Sequence, residues 1–130
     1  MSQVSKHRKL LSIFAHLSAT CSWTLIALGV PIAILCTSDD DVVKANAAES
    51  INYHITCWVL TALLVTGVIC TLGLAALLIF ALLPLFVIIS ILPLIAVCCV
   101  AMKTDQPYLY PLVPRFIKTK LMLKDLSSTT

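Results

Sequence analysis

Apolar and polar positions divide the 130-residue chain into three blocks. Residues 10–35 are apolar, with scattered Ser and Thr and one His, and residues 37–50 are polar and acidic. Residues 55–102 contain no charged side chain at all. One helical crossing of a bilayer takes about 20 residues, so this last run is too long for a single span. It predicts two membrane helices joined by a buried turn.

The two helices of the uncharged run are predicted over residues 52–72 and 76–102, with the turn near Thr71–Ala76. The second helix contains Pro84 and Pro93. A membrane helix tolerates proline when neighbouring groups satisfy the carbonyls that lose their partners. The pattern therefore predicts one kinked span at residues 76–102.

The first apolar block, extended to residues 10–36, fits two arrangements. Gly29 and Pro31 interrupt it, yet its length suffices for one tilted helix. It is either a single kinked span or a helical hairpin with a short second arm. The predicted number of membrane segments is therefore three to four.

Residues 37–54 form a polar connector with helix signals of its own. Ser38 and Asp41 have the spacing of a capping box, and aspartates suit the positive end of a helix. Apolar side chains then recur every four residues from Val43 onward. We expect residues 39–54 to form an amphipathic helix that lies on the membrane surface and continues into the next span.

The basic tail, residues 103–130, opens with an aromatic and proline-rich stretch that we expect to be extended and interfacial. Beyond it, residues 116–126 suit a short basic amphipathic helix on anionic headgroups. The predicted fold is thus all-α. It is a single membrane domain, residues 1–130, built as a polytopic helix bundle with three to four transmembrane segments and an interfacial amphipathic helix.

Composition supports a membrane environment. Apolar residues make up 60% of the chain and charged residues 12%, whereas soluble domains average about 45–50% and about 25%. The net charge of +3 is concentrated at the two ends, as is typical of topology determinants. Nucleic-acid binding would require a dense basic face with interleaved aromatic residues, and the sequence has none. The expected partners are the lipid bilayer and other membrane-protein helices, in a homo-oligomer or a larger complex.

Polar side chains spaced by four residues share one face of the first apolar block. Asn52 and Thr56, one turn apart, form a smaller polar pair in the next span. Three interpretations are open. Packing against other helices is favoured; the others are the lining of a proton or solute path and haem ligation by His16 and His54. The candidate helix-packing or pore-lining residues are Ser12, His16, Thr20, Thr24, Asn52 and Thr56.

Enzyme and metal chemistry have little support in the sequence. The membrane segments contain no carboxylate, and no nucleophile elbow, phosphate loop or zinc-protease motif occurs. The six cysteines lack metal-ligand spacing and lie within or beside apolar segments, where a thiol packs as a small hydrophobe. We therefore predict no catalytic residue, no metal site and no cofactor. The cysteines are Cys21, Cys36, Cys57, Cys70, Cys98 and Cys99.

Three motifs, in this order and spacing, resemble one family over about residues 8–118. They are Ala15-His16-Leu17-Ser18-Ala19, Ala48-Glu49-Ser50-Ile51-Asn52-Tyr53-His54-Ile55, and Tyr108-Leu109-Tyr110-Pro111-Leu112 with Arg115-Phe116-Ile117. They resemble a family of small bacterial membrane proteins of unknown function, similar in turn to the twenty-kilodalton subunit of the chloroplast inner-envelope import translocon (Tic-twenty-like). The motif residues expected at the membrane interface are Tyr53, His54, Tyr108, Tyr110, Pro111, Arg115 and Phe116.

That resemblance implies about four membrane segments with cytoplasmic or stromal ends, and it supplies no catalytic residue. We expect a non-enzymatic subunit or accessory of a larger membrane complex, with protein translocation or envelope maintenance as its role. The alternative is a small channel or transporter lined by the Ser/Thr/His helix face. The expected location is multi-pass in the bacterial inner (plasma) membrane, with a plastid membrane as the other option.

Overall fold

The structure, a computed structural model, describes residues 3–21, 24–71, 75–103, 105–111 and 113–128. This part of the chain is helical and contains no β-strand. A single 3₁₀ turn follows the first helix. The helices are α1 (Gln3–Ser18), α2 (Leu25–Thr37), α3 (Asp41–Cys70), α4 (Ala75–Met102) and α5 (Lys120–Ser128).

The first apolar block forms two helices, α1 and α2, instead of one long span. Thr24 caps α2 by accepting a hydrogen bond from the backbone N–H of Ala27. Gly29 and Pro31 do not end a helix, because both lie inside α2. The break falls earlier, between Ser18 and Thr24.

Helix α3 begins at its own aspartate cap. Oδ1 of Asp40 accepts hydrogen bonds from the N–H groups of Val42 and Val43, at 2.9 and 3.2 Å. The predicted capping box placed this role on Ser38, which is instead the C-terminal cap of α2. Both residues lie in one tight link, since Ser38 Oγ accepts the N–H of Asp40 at 3.3 Å.

α1 runs alongside the first half of α3 and in the same direction. Arg8 near the start of α1 pairs with Asp40 at the start of α3, and Ala19 just beyond α1 packs with Tyr53. α2 returns antiparallel, so that Ile34 near its end packs with Val43. α1 and α2 thus form a short hairpin, here called the α1–α2 hairpin, against the first half of α3.

The surface of α1 is the reverse of that of a soluble helix. Its inner side carries Ser12 and His16, which are almost wholly buried. Its outer side carries Leu10, Phe14 and Leu17, which are about half exposed. Polar groups inside and apolar groups outside are expected when the surrounding solvent is lipid.

Two helices, α3 and α4, are long and apolar enough to cross a membrane. At about 1.5 Å per residue, α3 is about 45 Å long and α4 about 42 Å. The second half of α3 and most of α4 expose apolar side chains on every face; Leu85, Phe86, Val87 and Ile88 are consecutive examples. The prediction of three to four membrane segments is therefore not confirmed. The turn predicted near Thr71–Ala76 lies partly in residues 72–74, outside the described residues.

The prediction that residues 39–54 form an interfacial helix was wrong. Residues 39–54 do not lie on the membrane surface, because every residue from Ala45 to His54 is buried against other parts of the fold. In α5, Met122 is buried against Ala45 and Ala48 of α3. Lys120, Leu123 and Lys124 on the other side of α5 are exposed, and the interfacial position of residues 116–126 stays a prediction.

Candidate functional site

The centre of the bundle holds a histidine with both ring nitrogens hydrogen-bonded. Nε2 of His16 lies 2.9 Å from Oδ1 of Asn46, and Nδ1 lies 3.0 Å from the hydroxyl of Tyr110. An amide oxygen only accepts, so Nε2 carries the proton and Nδ1 accepts from the Tyr110 hydroxyl. Burial lowers the pKa of His16 to about 4, against the weaker opposing effect of its bond to Asn46. The imidazole is therefore neutral at neutral pH.

Asn46 joins three segments of the chain through one side-chain amide with four partners. Its Nδ2 donates to the carbonyl of Val42 at 2.9 Å and to Oγ of Ser12 at 3.2 Å. Its Oδ1 accepts from His16 and from the backbone N–H of Tyr108, the latter at 2.9 Å. Every donor and acceptor site of this buried amide is occupied, so the group locks α1, α3 and the tail into one arrangement.

The tail between α4 and α5 lies along α3, held by three side chains spaced by three residues. Asn46 binds the N–H of Tyr108. Glu49 Oε1 accepts the N–H of Tyr110 at 2.7 Å. Asn52 makes a double contact with Ile117, accepting its N–H at 2.8 Å and donating to its carbonyl at 2.9 Å. We refer to residues 108–111 and 113–117 as the strap.

Glu49 is a fully buried carboxylate. Its Oε1 also faces the guanidinium of Arg115 at 3.5 Å, while its Oε2 has no hydrogen-bond partner among the described residues. Removing a charge from water is costly unless it is paired. Arg115 and the Tyr110 amide offset part of that cost, and burial remains the larger effect. Glu49 ties the strap to α3 through both contacts.

Aromatic rings close the network on its α4 side. The hydroxyl of Tyr53 donates to the carbonyl of Ile89 at 2.7 Å, which links α3 to α4. The rings of Tyr53 and Tyr110 lie 4.7 Å apart, and those of Tyr108 and Tyr110 meet edge to face at 5.3 Å. Burial raises the pKa of both Tyr108 and Tyr110, so both phenols stay neutral.

Only some residues of the predicted polar face lie in the buried hydrogen-bond network. Ser12 and His16 belong to the network, whereas Thr20 is exposed and donates to the Leu17 carbonyl of its own helix turn. Thr24 is a helix cap. In the second polar pair, Asn52 binds the strap and Thr56 donates back to the Asn52 carbonyl.

The residues of the predicted interfacial motif also differ in their burial. Tyr53, His54 and Tyr110 are buried, Tyr108 and Arg115 are half-buried, and Pro111 and Phe116 are exposed. The buried members pack inside the bundle, where the strap and α3 meet, and their depth at the membrane interface stays a prediction.

Haem ligation and a solute path gain no support from this arrangement. The lone pair of His16 Nδ1 is taken by Tyr110, which leaves none for iron. Ser12 and His16 face filled protein and not a channel. In the described part of the chain no three His, Cys, Asp or Glu side chains could hold a metal ion together. Among the described cysteines Cys36, Cys70 and Cys98 are exposed, and Cys57 and Cys99 are partly buried.

Sequence reasoning missed Asn46, Glu49 and Ser50, all fully buried. Ser50 Oγ donates to the carbonyl of Ala15 at 2.6 Å, a further link from α3 to α1. The missed signal was the alternation of these polar residues with alanines. Alanine allows close helix approach, and polar groups in such a contact must find partners across it.

Comparison with known families gives one match. The sequence model of the MamF/MmsF family, described as the magnetosome magnetite crystal formation protein family, matches residues 7–117. This range includes the α1–α2 hairpin, both long helices and the strap. The comparisons with curated proteins and with solved structures give no match. The resemblance to the import-translocon subunit was wrong, since the family match is to a different family.

Proposed function

Because this chain belongs to the magnetosome magnetite crystal formation protein family, we propose that it is a non-enzymatic integral subunit of a larger membrane complex that takes part in forming magnetite crystals. Its location is then the magnetosome membrane of a bacterium. The family match over residues 7–117 is the observation that carries this proposal. The roles in protein translocation and envelope maintenance rested on the discarded resemblance.

The use of the polar groups supports a structural role. An active site keeps a nucleophile, acid or base available to a substrate. Here the strongest candidate, His16, is buried and bonded to Asn46 and Tyr110. The side chains of Ser50 and Asn52 likewise donate hydrogen bonds to backbone carbonyls of neighbouring segments. The network therefore maintains one arrangement of the bundle.

The long helices support membership of a complex. Consecutive residues of α4 around Leu85 and Phe86 are exposed on all sides. On α3, an open groove lined by Trp58, Thr61, Ala62 and neighbouring residues lies along one face. Small and hydroxyl side chains at this spacing permit close approach of another helix. Lipid covers such surfaces in a monomer, and partner helices replace it in a complex.

The proposal is tested by deleting the gene in a magnetite-forming host and restoring it in trans. Crystal number, size and shape are measured by electron microscopy. We expect altered crystals in the deletion, recovery with the wild-type chain and with Thr20→Ala, and no recovery with Asn46→Ala. Unchanged crystals in the deletion would overturn the role in crystal formation.

Complex membership is tested separately by native electrophoresis of magnetosome membranes solubilised in mild detergent. We expect the 14.1 kDa chain in a species clearly larger than the monomer in its micelle. A strictly monomeric band in several detergents, without a co-purifying protein, would contradict that part of the proposal.

A further inference from the structure

One end of the bundle is marked by charges. Arg8 bonds Asp40 at 2.6 Å and Asp105 at 3.0 Å, so the start of α1, the start of α3 and the chain after α4 meet there. α4 is uncharged up to Met102, which is 84% exposed, and Lys103 is the first charge beyond it. The hydrocarbon layer therefore begins just above this charged end.

The α1–α2 hairpin rises from that end but is too short to cross. The apolar part of α1, residues 10–18, rises about 14 Å, and the 13 residues of α2 rise about 20 Å. A hydrocarbon core is about 30 Å thick, so one leaflet contributes about 15 Å. The top of the hairpin, at Ala19, is level with Tyr53, less than halfway along α3.

The outer surface of the hairpin is apolar at the same depth as the lipid-facing surface of α4. Leu10, Phe14 and Leu17 are exposed on α1. At that level α4 exposes Ile91, Leu94 and Ile95, and α1 contacts α4 directly. The apolar surface is thus continuous from the spanning helices onto the hairpin.

We propose that the α1–α2 hairpin is embedded in the acyl chains of one leaflet only. The molecule is then a wedge that accumulates on curved membrane with its charged end on the convex side. Helices α1, α2, α3 and α4 share the leaflet nearest the charges. In the described part of the chain only α3 and α4 continue into the opposite leaflet. Since each helix is about 10 Å across, the cross-section is about twice as large on one side.

Acyl chains are the occupant that fits this surface best. The exposed apolar groups lie on three elements and face several directions, which suits a fluid solvent better than one partner helix. Cationic residues stand at the base of the hairpin, where Lys6 is exposed and Lys9 is partly exposed. They suit anionic headgroups directly below the acyl chains. This inference does not depend on the role in crystal formation.

Depth is tested first, by spin labels in phosphatidylethanolamine–phosphatidylglycerol vesicles. Single cysteines for labelling replace Phe14 and Ile32 in the full chain, with the six native cysteines changed to Ala or Ser. Leu63 in the span and Asp39 at the charged end serve as reference positions. We expect labels at Phe14 and Ile32 to be accessible to oxygen and inaccessible to a water-soluble nickel chelate, at a shallower depth than Leu63. Nickel access, or shielding from both reagents by protein, would overturn the embedding.

Curvature preference is then measured on thin tubes pulled from giant vesicles of the same lipids, for molecules with the charged end outward. We expect at least a twofold higher density of wild-type protein on the tube than on the vesicle. The variant L10A/F14A/L17A should lose most of this enrichment. The matched variant L82A/L83A/L85A, in the lipid-facing part of α4, should keep it. A wild-type density ratio of one would overturn the wedge, whatever the variants do.

Discussion

Asn46 Oδ1 and His16 Nε2 lie 2.9 Å apart in the centre of the bundle, and neither side chain is accessible to solvent. The two residues are 30 positions apart in the chain. Their hydrogen bond joins α1 to α3, and the same amide oxygen holds the strap at Tyr108. One side chain thus fixes the relative positions of three segments.

We expect Asn46→Ala to be among the most destabilising substitutions in this protein. It removes hydrogen-bond partners from the buried side chains of Ser12 and His16 and from the half-buried backbone N–H of Tyr108. An unsatisfied buried group costs about 1–3 kcal/mol, and water that enters the space recovers part of this. The net loss should be roughly 3 kcal/mol. Unfolding by heat or denaturant in detergent measures it.

The matched control for this substitution is Thr20→Ala, on the same polar face as predicted from sequence. Thr20 is exposed, and its hydroxyl donates to the Leu17 carbonyl of its own helix turn. Its loss should change the free energy of unfolding by less than about 0.5 kcal/mol. Equal losses for both variants would contradict the central role assigned to Asn46.

Acid should destabilise the fold through His16. Its pKa is about 4 in the folded protein and 6.5 in the reference state. The unfolded chain therefore binds a proton first as pH falls, and stability declines between pH 6.5 and about 4. The contribution of His16 to this decline is roughly 3 kcal/mol. Denaturant unfolding at a series of pH values follows it.

His16→Gln is the variant that isolates this effect, because the amide keeps hydrogen-bonding capacity and does not titrate. It should be less stable at neutral pH but show a flatter pH profile above pH 4. The titration of Asp40 does not affect the comparison between His16→Gln and the wild type. Burial raises its pKa, but hydrogen bonds from Arg8 and the α3 backbone outweigh this and hold it below 3.8. Its stabilisation is therefore lost only at lower pH. An unchanged profile in the variant would contradict the prediction.

The sequence predicted the long helices better than the polar centre. Charged side chains are costly in lipid. The uncharged run from residue 55 to 102 therefore pointed clearly to membrane helices. Asn46 and Glu49 looked like part of a solvated connector, since their burial depends on α1 and the strap, which are distant in sequence. Pro31 was expected to interrupt the first apolar block, yet it lies in the middle of α2. Such outcomes depend on contacts that a local pattern does not contain.

The strap should detach when its contacts to α3 are removed. Asn52→Leu eliminates both hydrogen bonds to Ile117 and leaves that backbone unpaired. We expect trypsin to cut after Arg115 or Lys118 severalfold faster in this variant than in the wild type. Thr56→Ala, one turn further along α3, removes a bond within the helix and should leave the rate unchanged. Equal cleavage rates in all three proteins would show that Asn52 does not hold the strap.

Replacing all six cysteines by Ala or Ser should leave folding and membrane insertion intact. They lack metal-ligand spacing in the sequence, and in the described part of the chain no three His, Cys, Asp or Glu side chains could hold a metal ion together. Yield after detergent extraction and the helix content by circular dichroism test this expectation. A lost metal or a failure to insert would contradict it.

Both termini should lie on the cytoplasmic side of the membrane. The nine Lys and Arg residues all lie outside residues 55–102. If only α3 and α4 cross, the N-terminal segment, the connector and the tail share one side, and all nine cations lie there. This satisfies the positive-inside rule, on which Asp and Glu count for little. Reporter fusions at Lys9, Lys44 and Thr130 should all report the cytoplasm.

Four crossings would give the same result at those three positions, so the top of the α1–α2 hairpin decides between the two arrangements. A hairpin that crosses brings Thr24 to the far side, where a membrane-impermeant thiol reagent reaches a cysteine placed there. A hairpin confined to one leaflet keeps it in hydrocarbon, because α2 rises only about 20 Å. We expect no labelling of Thr24→Cys in intact cells of a host that inserts the chain into its inner membrane, in a chain without its native cysteines. Labelling from outside would establish four crossings and contradict the two-span topology.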